Sequence, residues 1–341
     1  MAEALPTITA VVPAHDARTH LGHCLPALIE AGRGLLEEVI VVDDGSTDGT
    51  GEAAADLGAR VLRSAERPVG PAAARNLGAA AAGGEVLLFV DADVVVHADA
   101  VERVARTFTE DGPAALYGSY DDSPAARNLA SRYMNLRHHH VHRIPSADAA
   151  TFWAGLGAVR RSAFDQVGGF DGTRFAEPSV EDIDLGRRLR AAGGLIRRDP
   201  TLLGCHRKVW TWSSVVRTDV FQRALPWARM MREHPGAFGD LNVGATERAR
   251  ALLALAWAAS IPLAISGATD VPVFLPLGAA AFLANLPLAG TLLRGGGPRL
   301  AVVGILFHQV YYLYSCAAWF VARFAGGSAG GGAAERRPPT S

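Results

Sequence analysis

Three short acidic stretches hold the residue types that group-transfer chemistry needs. In Val42-Asp43-Asp44-Gly45-Ser46-Thr47-Asp48-Gly49, paired carboxylates sit where an apolar run gives way to a helical pattern. They can accept hydrogen bonds from a nucleoside there, or simply cap the helix, since Ser, Thr and Asp all favour that position. Asp91-Ala92-Asp93 follows the run Val86-Leu87-Leu88-Phe89-Val90. Two carboxylates two residues apart at a strand end can hold a hard divalent cation that also touches phosphate oxygens; the alternative is a polar turn. Glu181-Asp182-Ile183-Asp184 opens a helix, where acids complement the macrodipole or supply a proton acceptor. Arg75, alone among alanines in Gly70-Pro71-Ala72-Ala73-Ala74-Arg75-Asn76-Leu77-Gly78, suits a phosphate, a site carboxylate or a structural ion pair. The glycines match neither GxGxxG nor GxxxxGK[ST], so neither dinucleotide nor P-loop binding is supported.

The elements that must position these groups alternate. Ile8–Val12, Glu38–Val42, Arg60–Leu62 and Val86–Val90 are apolar and β-branched, as parallel strands buried on both faces are. Helical patterns cover Leu21–Ala31, Thr47–Leu57 and Pro71–Ala82, the last opened by Gly70-Pro71 and closed by Gly83-Gly84. Asp99 and Glu102 have the spacing of a capping box, and Ile183–Ala192 closes at Gly193-Gly194. Strand and helix at this tempo predict a doubly wound, mostly parallel α/β sheet of Rossmann-like type. Ligands bind such sheets at the carboxyl ends of the strands, where the acidic clusters lie.

Composition bounds the partners. In 341 residues, Lys and Arg number 33 against 34 Asp and Glu, which excludes a basic field for nucleic acid. Cys24, Cys205 and Cys316 lie far apart and form neither a disulfide framework nor a zinc ribbon. From Ala251 to Ala322 the charged residues are Asp270, Arg294 and Arg299. The apolar stretches Ala251–Ala268, Val271–Leu293 and Leu300–Ala322 each approach or exceed the ~20 residues of a membrane-crossing helix. Met1–Pro6 has no basic n-region, so no secretory signal is expected. The layout is then a catalytic domain over 1–209, an amphipathic connecting segment over 210–250, a transmembrane region of about three helices over 251–324 and a disordered tail over 325–341. Lys- and Arg-free Thr269-Asp270 suits an external loop and Arg294 with Arg299 an internal one, which leaves the tail outside.

Taken in order, Val11-Val12-Pro13-Ala14-His15-Asp16, Val41-Val42-Asp43-Asp44-Gly45-Ser46-Thr47-Asp48, Ala74-Arg75-Asn76-Leu77-Gly78, Asp91-Ala92-Asp93 and Glu181-Asp182 resemble family 2 glycosyltransferases of the GT-A fold, over roughly residues 7–208. The resemblance implies a nucleotide-diphosphate sugar donor, a Mg²⁺ or Mn²⁺ ion and inversion at the anomeric carbon. It also implies an acceptor that is lipid-linked or saccharide, met at the cytosolic face of a plasma or inner membrane that the chain crosses several times. By the same resemblance Pro13, His15, Asp16 and Asp44 hold the nucleobase and ribose, with Arg75 near the nucleotide. Asp91 and Asp93 engage ribose and metal–diphosphate, and His206 adds a metal ligand. Asp182 is the general base with Glu181 orienting it, and Trp153 and Gly155 line the acceptor and sugar pocket.

The chain also departs from the family pattern. Processive synthases carry QxxRW after the base; here Gln222-Arg223-Ala224-Leu225-Pro226-Trp227 misplaces the Arg, which favours transfer of a single sugar. His15-Asp16 replaces the commoner Asn-Glu pair. The run His138-His139-His140 with His142 has no carboxylate pair or Cys beside it, so it reads as a solvated loop or a contact to an acceptor phosphate rather than zinc. Arg217, Arg223, Arg229 and Arg232, interleaved with Trp210, Trp212, Phe221 and Trp227, suit an interfacial segment or a helix packed under the catalytic domain. Two other functions use similar groups: a nucleotidyltransferase, which needs a basic phosphate loop where Pro13-Ala14-His15-Asp16 stands, and a non-catalytic nucleotide-sugar scaffold, which has no need of Asp182.

Overall fold

The computed structural model describes residues 5–109, 112–239, 241–267 and 273–324. The first half alternates as the sequence predicts: β1 (Ile8–Ala14), α1 (Arg18–Ala31), β2 (Leu36–Asp43), α2 (Thr50–Asp56), β3 (Arg60–Arg63), α3 (Pro71–Ala81) and β4 (Val86–Val90). Then follow β5 (Val94–Val96), α4 (Ala100–Thr107), β6 (Ala115–Tyr120), α5 (Leu129–His142), β7 (Leu156–Arg160), α6 (Arg161–Gln166), α7 (Glu181–Ala191) and β8 (Ile196–His206). One eight-stranded sheet results, in the order β3-β2-β1-β4-β7-β6-β8-β5. Its β3-β2-β1-β4 half is parallel, as expected. The other half is mixed: β7 runs antiparallel to β4 and to β6, and β5 runs antiparallel to β8. That sheet is an α/β sheet of GT-A type, though less parallel than the sequence suggests.

Alternation within the strands supplies two cores. Ile8, Ala10 and Val12 pack with Leu21, Leu25 and Leu28 of α1 on one face, while Val11, Ile40 and Phe89 face α3 on the other. The capping box expected at α4 does not form, because Asp99 accepts from Arg103 and Glu102 from Arg106 instead. These i,i+4 ion pairs compete directly with the backbone for the same carboxylates. Gly70, ahead of α3, has φ of +91°, and a Cβ there would stand 2.1 Å from the Ala176 carbonyl. Only glycine fits this close approach, which fixes the start of α3 against the 170–176 loop.

The C-terminal third contains α8 (Trp212–Arg217), a π-helical turn (Thr218–Ala224), α9 (Leu225–Glu233), α10 (Ala245–Ile265), α11 (Phe274–Leu283) and α12 (Leu286–Phe324). Trp210, Val215, Trp227 and Met230 are buried against the domain, so the connecting segment packs inward. Two helices, α10 and α12, are long and apolar enough to cross a membrane by length and composition. The second expected span is not one helix: α11 has ten residues, about 15 Å, and breaks before α12. α12 is itself interrupted at Gly297, with φ +79° and ψ 176° ahead of Pro298. The third expected span, Leu300–Ala322, is docked on the domain along its length. His308 meets the Tyr133 hydroxyl at 2.7 Å, Tyr314 donates to Asp219 at 2.7 Å and the Ala322 carbonyl accepts from Arg232 at 2.8 Å. Thr269, Asp270 and the tail over 325–341 lie outside the described residues.

Candidate active site

The carboxyl ends of β1, β2 and β4 meet as the alternation predicts. The β1 and β2 turns are buckled together: Asp44 N–H donates to the Ala14 carbonyl at 2.8 Å, and His15 Nδ1 lies 2.9 Å from the Asp44 carbonyl. Asp16, at φ +45°, takes the Thr47 N–H at 2.8 Å while its own N–H donates to Ser46 Oγ at 3.0 Å. Pro13 closes the strand above this turn, in register with Val42. The Asp44 carboxylate accepts from Ser64 Oγ at 2.5 Å and from the N–H groups of Val69 and Gly70, each at 2.9 Å. It therefore ties down the loop leading into α3. Asp48 accepts from the Thr50 N–H at 3.0 Å in a turn ahead of α2, whose N-cap is Gly49 with no side-chain cap, so the capping expected of this cluster does not form.

Arg75 is the hub of the site. Nearly fully buried on α3, it donates from Nη2 to Asp91 at 2.7 Å and from Nη1 to Glu181 at 3.0 Å. Burial alone would favour its neutral form, and the charges of Asp91 and Glu181 more than reverse that. The structural ion pair and the site role weighed for Arg75 thus coincide, because its partners are the first DxD carboxylate and the residue beside the expected base.

The three acids of α7 separate by environment. Asp184 accepts from Arg187 at 2.9 Å and Arg188 at 2.8 Å, and these pairs outweigh burial to hold its carboxyl below the usual range. Glu181 is occupied by Arg75 and by the Ser179 N–H at 2.9 Å. Asp182 has only backbone donors, Ile183 N–H at 2.8 Å and Ala154 N–H at 3.3 Å. Burial, then the neighbouring Glu181 charge, push its pKa up to about 7. A carboxylate poised near neutral pH is what a general base requires.

Asp93 faces the other way from Asp91. Pairing of Val94 with His206 brings β8 alongside, and His206 Nε2 stands 3.6 Å from Asp93 Oδ2. Burial opposes the charge on Asp93, but His206, Lys208 and His20 outweigh it and keep the carboxyl below its ordinary value. Among the described residues no group of three or more His, Cys, Asp or Glu side chains is arranged to hold a metal. The donor set that fits one is the Asp93–His206 pair, with positions left for phosphate oxygens and water, as Mg²⁺ and similar ions keep. Asp91 is engaged by Arg75.

An aromatic wall links these groups. Tyr120 stacks on His206 at 4.1 Å, meets Trp153 edge-on at 4.9 Å and lies 4.3 Å from His138. The Trp153 indole covers Gly155, where a Cβ would stand 2.4 Å from it, and the Gly155 carbonyl accepts from Asp91 N–H at 3.0 Å. Trp153 and Gly155 therefore do join the site. Tyr120 is a site residue that the sequence reading does not single out, because β6, Ala-Leu-Tyr-Gly-Ser-Tyr, carries no clear strand pattern. The histidines form the last turns of α5, not a loop. His139, His140 and His142 hydrogen-bond through Nδ1 to Tyr120 O, Thr291 Oγ1 and Gly118 O.

Residues 9–168 match the model for glycosyl transferase family 2. Over a little under half of its length the chain is similar to family 2 glycosyltransferases. Asp182 and His206 lie beyond the matched residues, on the part of the same sheet and helices that closes the site. The pre-mycofactocin glycosyltransferase of Mycobacterium tuberculosis is 30% identical over 208 residues, covering 58% of this chain and 42% of that protein. The chain thus spans about two fifths of the length of that relative. Among solved structures, the mannosyltransferase PcManGT of Pyrobaculum calidifontis, in complex with GDP-Man and Mn²⁺, superposes with a TM-score of 0.55 at 21% identity, over 95% of this chain and 88% of that one. GalNAc-T7 with UDP, GalNAc and Mn²⁺ gives 0.52 at 18% identity, over 67% and 48%. At these identities the likeness is one of fold, a GT-A-like fold.

Proposed function

We propose that this protein is a glycosyltransferase that moves one sugar, with inversion, from a nucleotide-diphosphate sugar to a lipid-linked or saccharide acceptor at the cytosolic membrane face. The observation that carries the proposal is Asp182: a half-buried carboxylate with its pKa pushed up to about 7, without a salt bridge among the described residues, beside Glu181, which Arg75 links to Asp91. The nucleoside lies over the buckled β1 and β2 turns at Pro13, His15 and Asp16, while Asp44 shapes that pocket through the 64–70 loop. Asp93 and His206 would hold a divalent ion, Mg²⁺ or Mn²⁺, which would supply positive charge against that of the diphosphate. Asp91, oriented by Arg75, faces the ribose.

Inversion is a single in-line displacement. The acceptor hydroxyl oxygen bonds to the anomeric carbon as the bond to the nucleoside diphosphate breaks on the opposite face, and the hydroxyl proton passes to Asp182. Asp184 is excluded from that role by Arg187 and Arg188, and Glu181 by Arg75. Trp153, which is partly exposed, offers its ring to a sugar beside the base, and Tyr120 backs His206 from behind. The exposed apolar faces of α10 and α12, including Leu252, Leu263, Val302 and Leu306, attach the molecule to the membrane. Purified protein incubated with a panel of nucleotide sugars, with and without Mn²⁺, tests the reading through release of nucleoside diphosphate. No release from any donor with any lipid-phosphate or saccharide acceptor would remove it.

A further inference from the structure

Deep in α5, Arg137 donates from Nη1 and Nη2 to the two oxygens of Asp219 at 2.7 and 2.8 Å. One buried anion is thereby matched by one buried cation. Arg223, on the π-helical turn, is then a surplus charge. It is 44% exposed, touches Asp219 through Nη1 at 3.2 Å and has no other hydrogen-bond partner among the described residues. Together with Trp227 it lines a cavity of about 130 Å³ between the π-helical turn, α9 and α12. Trp227 is buried, yet its indole Nε1 has no partner among the described residues. A buried indole N–H normally finds an acceptor, and leaving it unmade is costly. The inner wall is polar, with the paired Arg137 and Asp219 beside Tyr311 and Ser315, while Met231, Val243 and the half-exposed Trp319, beside which Phe320 faces outward, form an apolar side.

We propose that this cavity binds the phosphate headgroup of an apolar-chained molecule. The phosphate is held by the Arg223 guanidinium and the Trp227 N–H, and the chain runs past Met231 and Trp319 onto the outer face of α12. A single surplus guanidinium presents a planar donor fork suited to phosphate oxygens. The space holds a tetrahedral oxyanion with room for water. The apolar wall leads outward, so a free anion would leave half of the site uncovered. The location also bears on transfer. Ser179 Oγ donates to the Gln222 carbonyl at 3.3 Å, and the Ser179 N–H donates to Glu181 at 2.9 Å, so the headgroup lies one short relay from the first turn of α7. That the occupant is the sugar acceptor rests on the function proposed above; the binding itself does not.

Full-length protein in a neutral maltoside detergent, titrated with dodecyl phosphate by calorimetry, provides the test. Saturable binding of one molecule per chain is expected. Arg223→Gln should weaken it roughly tenfold or more, and Trp227→Phe, which keeps the ring and removes the N–H, several-fold. Arg223→Lys should fall between wild type and Arg223→Gln. Equal affinity in wild type, Arg223→Gln and Trp227→Phe overturns the proposal. So does inorganic phosphate binding as tightly as dodecyl phosphate, which would make the cavity a free-anion site, or dodecanol binding equally well, which would make it merely greasy. Should Arg223→Gln lose its helical circular dichroism, Trp227→Phe decides alone. The donor panel is read separately, so absent turnover with intact dodecyl phosphate binding would reject the transfer reading and keep the site.

Discussion

At the scale of single residues, the site works by assigning different partners to chemically similar acids. Asp182→Asn should leave nucleoside-diphosphate binding near wild type while kcat falls ~10²–10⁴-fold, the usual share of general base catalysis. Asp184→Asn should do the reverse, costing roughly 1–3 kcal/mol of stability through its lost arginine pairs with kcat of the folded fraction near normal. Stopped-turnover kinetics alongside thermal melts separate the two. The Asp182 pKa also fixes a pH dependence. Raised from the ordinary carboxylate value of about 3.9 to about 7, it lets the folded state hold a proton that the unfolded state has released. Stability contributed by the protonated form is complete below about pH 4 and is lost as pH rises to 7. Asp182→Asn should therefore raise Tm by a few degrees at pH 8 and little at pH 4, while wild-type kcat/KM climbs with an acid limb near 7. A flat Tm difference across that range would contradict the assigned environment. Asp93→Ala should abolish the dependence of nucleoside-diphosphate binding on added Mn²⁺, read by calorimetry; unchanged metal dependence would move the ion elsewhere.

At the scale of elements, glycine contacts set where the side chains of the candidate site point. Gly70→Ala should cost at least ~2 kcal/mol, because it combines a left-handed φ with a Cβ 2.1 Å from the Ala176 carbonyl. The start of α3 and Arg75 with it should shift, so kcat should fall together with Tm. Gly58→Ala, also at positive φ (+89°) but with nothing within 4 Å, is the control and should cost only ~1 kcal/mol. Equal losses in both would show that strain, not the close approach, dominates. β4, β1 and α3 were legible because a buried parallel strand is a continuous apolar run and α3 carries both its boundary residues. β6, β7 and β8 were not, since Ala-Leu-Tyr-Gly-Ser-Tyr and Leu-Gly-Ala-Val-Arg contain glycines and polar residues that blur the period of two. Their burial comes from neighbours far along the chain.

At the scale of the molecule, the apolar C-terminal third is joined to the catalytic domain by buried polar contacts. Arg132 donates to the Gly295 carbonyl at 2.8 Å, and the Tyr133 hydroxyl meets His308 Nδ1 at 2.7 Å. Ion pairs such as Arg137–Asp219 beside α12 are incompatible with a bare lipid neighbour on that face. With the Ala322 carbonyl held by Arg232, the end of α12 stays on the side of the catalytic domain. A reporter fused after Ser341 should therefore read cytosolic, and the protein should sediment with membranes until detergent is added. A reporter protected on the far side would restore the three-span arrangement expected from hydropathy.

The sequence by itself determined the alternating half of the sheet, the position of the acidic clusters at strand ends and the apolar character of residues 251–322. Each of these is local: a period, a cap or a composition is complete within a short window. Which partners each acid meets is set by the tertiary fold. Asp91 and Asp93 are two residues apart, yet one turns to Arg75 on α3 and the other to His206 on β8. Asp182 and Asp184 share a helical turn, yet one is isolated and the other saturated by arginines. The same holds for Leu300–Ala322, whose composition suits lipid while its inner face is covered by α5 and α9. A carboxylate's proton affinity and a helix's surroundings are set by charges and surfaces brought in from distant parts of the chain, and no window of sequence contains them.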